Sequence, residues 1–142
     1  MSFDAFDDLN WLAVVVAAVV WFALGAVWYT PKVFGAAWMR SIGWEPSPDD
    51  PKPGASMYVA PLLAYLVGSV ALGLLAKATG TDTVGEGLVL GLVVSVGIVG
   101  TILLVTAAFD PKKPQAMVWF AITWAYHLVG VMLASLTLAI WE

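Results

Sequence analysis

Cysteine is absent from the 142-residue chain, histidine occurs once, and charge is scarce, with Asp, Glu, Lys and Arg together making up 11% of the residues. The lack of cysteine rules out disulfides, thiolate metal sites and cysteine nucleophiles. A net charge of −4 leaves no basic face for a nucleic-acid partner. The few ionisable residues form no metal-ligand cluster, no paired carboxylates, no serine-histidine motif and no glycine-rich phosphate loop. These absences predict a protein that is not an enzyme and carries no metal or cofactor.

What is abundant is apolar surface: 61% of the residues are hydrophobic, and the mean hydropathy is strongly positive. The rare charges act as fence posts. None lies between Leu9 and Thr30, between Pro53 and Ala76, between Gly87 and Phe109, or between Pro114 and Trp141. Each gap exceeds the ~20 residues that a helix needs to cross a ~30 Å hydrocarbon core. The sequence therefore predicts an all-α integral membrane protein, a single transmembrane domain over residues 1–142, with helices at about 9–30, 57–77, 84–109 and 114–141. The leading segment MSFDAFDD is acidic and the apolar run after it is long, which argues against a cleaved signal peptide.

Local signals set the ends of these helices. Asp7 or Asp8 is placed to cap the first helix, and Trp11, Trp28 and Tyr29 stand where ring side chains anchor at headgroup level. Pro31 ends that helix. Residues 31–43 then form a short interfacial helix, with Phe34, Trp38 and Ile42 on one face and Lys32 and Arg40 on another. The Pro-rich stretch 44–56 reads as a stiff cytoplasmic loop. Gly80 stops the second helix, and Thr83 with Glu86 spells a capping box for the third. So short a link predicts that helices two and three are antiparallel neighbours. The turn from Asp110 to Pro114 puts Pro114 in the first turn of helix four. A weak repeat, Val27 to Lys32 against Ala107 to Lys112, suggests a parallel duplication.

Four crossings put five of the six basic residues, Lys32, Arg40, Lys52, Lys112 and Lys113, on one side and Lys77 on the other, with Asp4, Asp7, Asp8, Asp82, Glu86 and Glu142. The positive-inside rule makes this a multi-pass protein of the cytoplasmic (inner) membrane with both termini external. Lys77 and Glu86 stand at helix ends and no Asp, Glu, Lys or Arg lies deeper in the membrane, so an ion-coupled pump or voltage sensor would lack its usual machinery.

Within lipid, helices associate through small residues and hydrogen bonds. Ala60, Ala64 and Gly68 form one small-residue stripe and Gly87, Gly91 and Ser95 another, and these two are expected to meet. On helix four, Gly130 and Ala134 share a stripe with Thr123 and His127. His127, near mid-span, has three readings: a neutral imidazole hydrogen-bonded to Ser69, Ser95 or Thr101, a proton-relay or substrate residue, or an axial ligand to a haem-like or chlorophyll-like pigment. Trp21, Tyr65, Trp124 and Tyr126 also lie inside spans, as packing residues or as walls of a ligand cleft.

The motifs Asn10-Trp11-Leu12, Gly25 to Pro31 (Gly-x-x-Trp-Tyr-x-Pro) and Phe34-Gly35-Ala36-Ala37-Trp38 resemble the opening signature of a family of small prokaryotic membrane proteins, domain of unknown function 1761. The likeness extends through YHLVGVMLASLTLAIW in the last helix. The resemblance implies four transmembrane helices and no established activity. It also marks Asn10 and the aromatic exit motif as architectural.

Together these readings predict a noncatalytic helical-bundle component, homo-oligomeric or accessory, whose partners are membrane lipids and another membrane protein. The alternative is a small-solute transporter or channel with a pathway near His127, Trp124, Tyr126 and Thr123.

Overall fold

The computed structural model describes residues 3–52 and 54–141, and all regular structure among them is helical. A single 3-10 turn, Phe3–Phe6, precedes α1 (Trp11–Trp28), α2 (Gly35–Ser41), α3 (Ser56–Thr79), α4 (Val84–Val94), a π-helical segment (Ser95–Gly100), α5 (Thr101–Phe109) and α6 (Ala116–Ile140). The rod from Val84 to Phe109 is continuous, so four helices are long and apolar enough to span a membrane, and α2 is the short helix after the first. The chain is thus a multi-pass helical membrane protein. Glu142 and the Asp4 side chain, both used in the charge count, lie outside what is described.

Asn10 caps α1 in place of Asp7 or Asp8. Its side chain stands directly before the first helical residue, where it accepts the Ala13 N–H at 3.1 Å. The aspartates lie too far upstream to do so. The Asn10 amide also donates to the Trp141 carbonyl at 2.7 Å, tying the start of α1 to the end of α6.

At the other end of α1, residues 31–34 form a turn rather than helix, so α2 is shorter than expected. The turn is tight: Phe34 N–H donates to the Trp28 carbonyl at 3.1 Å and Gly35 N–H to Thr30 at 2.9 Å. Gly43, at φ +71°, closes α2, with Trp44 N–H reaching back to Met39 at 3.0 Å. Gly43 lies against Pro114, and Gln115 N–H donates to the Ser41 carbonyl at 3.2 Å. Pro114 therefore sits in the turn before α6 rather than in its first turn.

Gly80, at φ +64°, ends α3, and the Thr83–Glu86 capping box starts α4. Beyond that turn, however, α3 and α4 share no extended seam; α6 lies between them, with α1 and α3 on one side and the α4–α5 rod on the other. An open groove of about 500 Å³, lined by residues including Thr79, Thr83, Glu86, Val89 and Val93, fills the angle where they diverge. The expected pairing of helices two and three is corrected accordingly: a short link fixes two helix ends, while side-chain fit decides which faces meet.

The small-residue stripes show that fit. Gly87 abuts the Ser135 carbonyl and Ala139, and Gly91 abuts the Met132 backbone, so α4 lies nearly backbone to backbone on α6. Ser95 joins this buried seam. Ala60 and Ala64 face outward instead, and Gly68 receives the Trp21 ring. The two stripes do not meet within the chain. The core lies between α1, α3 and α6, around Val14, Ala17, Leu72, Val131, Ala134 and Leu138.

Candidate functional site

Glycines create the space in which the aromatic residues gather. A Cβ on Gly130 would lie 2.2 Å from Trp21 Cδ1, and one on Gly68 would lie 3.2 Å from Cζ3 of the same ring. The indole thus passes from one helix backbone to another. It stacks on Tyr65, with centroids 4.8 Å apart and planes 18° apart. Tyr126, 1% exposed, donates its hydroxyl to the Trp21 carbonyl at 3.0 Å. Gly25 leaves room for that hydroxyl, since a Cβ there would come within 2.9 Å of it.

His127 stands against this group, 4.8 Å from the Tyr126 ring, 5.8 Å from Trp21 and 6.3 Å from Tyr65, each measured between centroids. None of the three hydroxyls expected to hold it does so. Ser95 donates to the Gly91 carbonyl at 2.6 Å and Thr101 to Ile98 at 2.8 Å, each within its own helix, while Ser69 is buried without a partner. The Trp21 and Trp28 indole N–H groups are likewise buried and unpartnered, and the Thr123 hydroxyl is buried facing the Tyr29 hydroxyl.

The rings continue towards the Lys- and Arg-rich side. Tyr29 lies 5.2 Å from Tyr126 and 5.5 Å from Trp38, and Trp28 lies 4.6 Å from Phe34. Gly35 permits the turn that folds them together, because a Cβ there would sit 2.1 Å from the Tyr29 carbonyl oxygen. Trp11, at the opposite end of α1, is half exposed.

Of the four residues expected to line a ligand site, the structure gathers Thr123, Tyr126 and His127 and places Trp124 elsewhere. Trp124 turns to the α4–α5 rod, where its indole donates to the Ser95 carbonyl at 3.0 Å at the start of the π segment. A wider helical turn shifts the backbone register by one residue, and the indole bonds to the carbonyl where that shift begins. Gly100 makes room for it. The sequence reading missed this element, because its freed carbonyl is bonded by an indole that arrives from another helix.

Outside the spans, Asp110 accepts the Lys112 N–H at 3.0 Å and pairs with the Lys113 ammonium, which also lies 4.5 Å above the Trp119 ring. The Lys113 contact, followed by the Lys112 amide, lowers the Asp110 carboxyl below its usual value. No His, Asp or Glu cluster able to hold a metal is found among the described residues.

A family model described as "Protein of unknown function (DUF1761)" matches residues 12–139. No curated protein and no solved structure matches the chain.

Proposed function

Since the chain belongs to the DUF1761 family of proteins of unknown function, we propose that it acts without catalysis, as an oligomeric or accessory helical component of the cytoplasmic membrane with lipid and a partner helix as its ligands. The observation that carries this reading is the α4–α5 rod. It is attached along one face to α6, and only 17% of its most apolar window is buried. Gly97, on this rod, has nothing within 4 Å of where a Cβ would be. Small residues left open on an apolar helix are where a second helix backbone can approach closely. The five-to-one Lys/Arg asymmetry supports external termini.

The test is stoichiometry in lipid. Native mass spectrometry from nanodiscs should show two or more copies, or a bound partner, and Gly97→Cys in this cysteine-free chain should form a crosslink. A stable monomer bound to nothing would overturn the reading. A transmembrane solute pathway near His127 has less support. Towards the Trp141 end of the bundle Val14, Leu72, Val131 and Leu138 pack together, none more than 4% exposed.

A further inference from the structure

The groove of about 500 Å³ that opens where α3 and α4 part changes character with depth. Thr79, Thr81, Thr83 and Glu86 line its end at the turn, and Val89, Leu90 and Val93 line the part that runs inward along α4. From Glu86 to Val93 the helix rises about 10 Å, within the ~15 Å that one leaflet contributes to the hydrocarbon core. A groove that is polar at headgroup level and apolar below it has the polarity profile of a lipid molecule.

At the outer end, two of the hydroxyls are occupied with each other and with backbone: Thr79 donates to the Leu75 carbonyl at 2.8 Å, and its hydroxyl lies 2.7 Å from that of Thr81. Glu86 differs. Its exposed carboxylate accepts the Asp82 N–H at 3.2 Å, the Thr83 N–H at 3.1 Å and the Thr83 hydroxyl at 2.7 Å, and all three bonds end on Oε2. Oε1 is left to accept from a ligand. Asp82 adds a second exposed carboxylate four residues earlier, and Lys77, the basic residue at this end of the bundle, does not line the groove. The polar end therefore favours a cation, and one with N–H groups to donate.

Size and charge choose between a lipid and a helix as the occupant. A helix with its side chains is about 10–12 Å across, so a 10 Å length of one fills about 800–1,100 Å³, more than the groove holds, whereas an acyl chain is far narrower. A second copy in the same orientation would also bring its own Asp82 and Glu86 to this depth, like charge against like. We propose that the α3–α4 groove holds one acyl chain of a phospholipid whose primary ammonium head pairs with Glu86, as in phosphatidylethanolamine. This names the lipid within the reading above and rests on it. Copy number and lipid retention are separate readouts: a monomer that keeps the lipid overturns only the oligomer, and an oligomer without lipid preference overturns only the groove.

The test releases the full-length protein from nanodiscs holding equal parts of phosphatidylethanolamine, phosphatidylcholine and phosphatidylglycerol with the same acyl chains, and counts the lipids retained per chain by native mass spectrometry. The ethanolamine lipid should be retained over the choline lipid, which has the same net charge but no ammonium N–H, and over the anionic glycerol lipid. Glu86→Gln keeps the capping box, since Gln serves at that position as well. It should lower retention of the ethanolamine lipid by about three- to fivefold, the effect of losing one exposed ion pair. Val89→Trp, which fills the groove, should lower it too, while Val67→Trp on the outward face of α3 should retain lipid as the wild type does. If Val89→Trp fails to fold by circular dichroism, Glu86→Gln decides alone. Equal retention of the three lipids by the wild type, an undiminished ethanolamine preference in Glu86→Gln, or wild-type retention by a folded Val89→Trp would overturn the proposal.

Discussion

Alanine at position 130 would place its methyl carbon 2.2 Å from Cδ1 and 2.3 Å from Nε1 of Trp21, whose ring is held between two helices and cannot yield. Overpacking against a rigid ring costs about 1–3 kcal/mol. Gly130→Ala should therefore lower the thermal unfolding midpoint in detergent clearly, while Gly85→Ala, where a Cβ meets nothing within 4 Å, should leave it unchanged or slightly raised. The same logic explains the Gly-x-x-Trp-Tyr-x-Pro and Phe-Gly motifs. Gly25 admits the Tyr126 hydroxyl, Gly35 admits the Tyr29 carbonyl, and the aromatic residues between them fill the space so defined. The spacing was legible in the sequence. Its partner Tyr126, about a hundred residues away, was not, because an apolar sequence carries no mark of which ring meets which glycine.

Among the elements, the π segment and the α1 cap give the clearest tests. Trp124→Phe keeps an aromatic ring but removes the indole N–H that bonds the Ser95 carbonyl, so at least about 0.5–1.5 kcal/mol of stability should be lost. Hydrogen exchange should then quicken over residues 95–100 more than over α1. Asn10→Ala should cost about 1 kcal/mol through the lost cap and should also loosen the end of α6, since the same side chain holds the Trp141 carbonyl. The α5–α6 turn has a pH signature. The folded Asp110 carboxyl is depressed below its ordinary value of 3.8, so its contribution is fully present above that value and is lost as pH falls through the lower folded one. Lying in a surface turn, it should leave global stability nearly unchanged, and the loss should appear as faster exchange of the Lys112 amide only in that acid range. Gly80 and the Thr83–Glu86 box could be read in advance because caps are short-range chemistry. The π turn could not, since a wide turn depends on a donor arriving from another helix.

For the whole molecule, the absence of cysteine makes topology directly measurable. Single cysteines replacing Lys32 and Lys113 should react with an impermeant maleimide from one face of the membrane, and one replacing Lys77 from the other; all three reacting from the same face would contradict the four-span arrangement. Double cysteines at positions 87 and 139 should crosslink within one chain, because Gly87 meets Ala139 across the α4–α6 seam, whereas a pair at 64 and 91 should not.

The sequence by itself determined that the chain is helical, where four spans begin and end to within a few residues, and that Gly80 and the Thr83–Glu86 box bound the turn between α3 and α4. Those properties follow from hydrophobic run length, charge position and local hydrogen bonding. Only the tertiary structure decided that α6 is central, that α4 avoids α3, that the two small-residue stripes go to different partners, and that His127 stands among rings rather than hydroxyls. The physical reason is that spans apolar on every side have no inward face written into them. In lipid, burial does not choose a partner for such a helix. Close fit does, as a glycine opposite an indole or a carbonyl opposite a ring N–H, and that fit exists only once the helices are side by side.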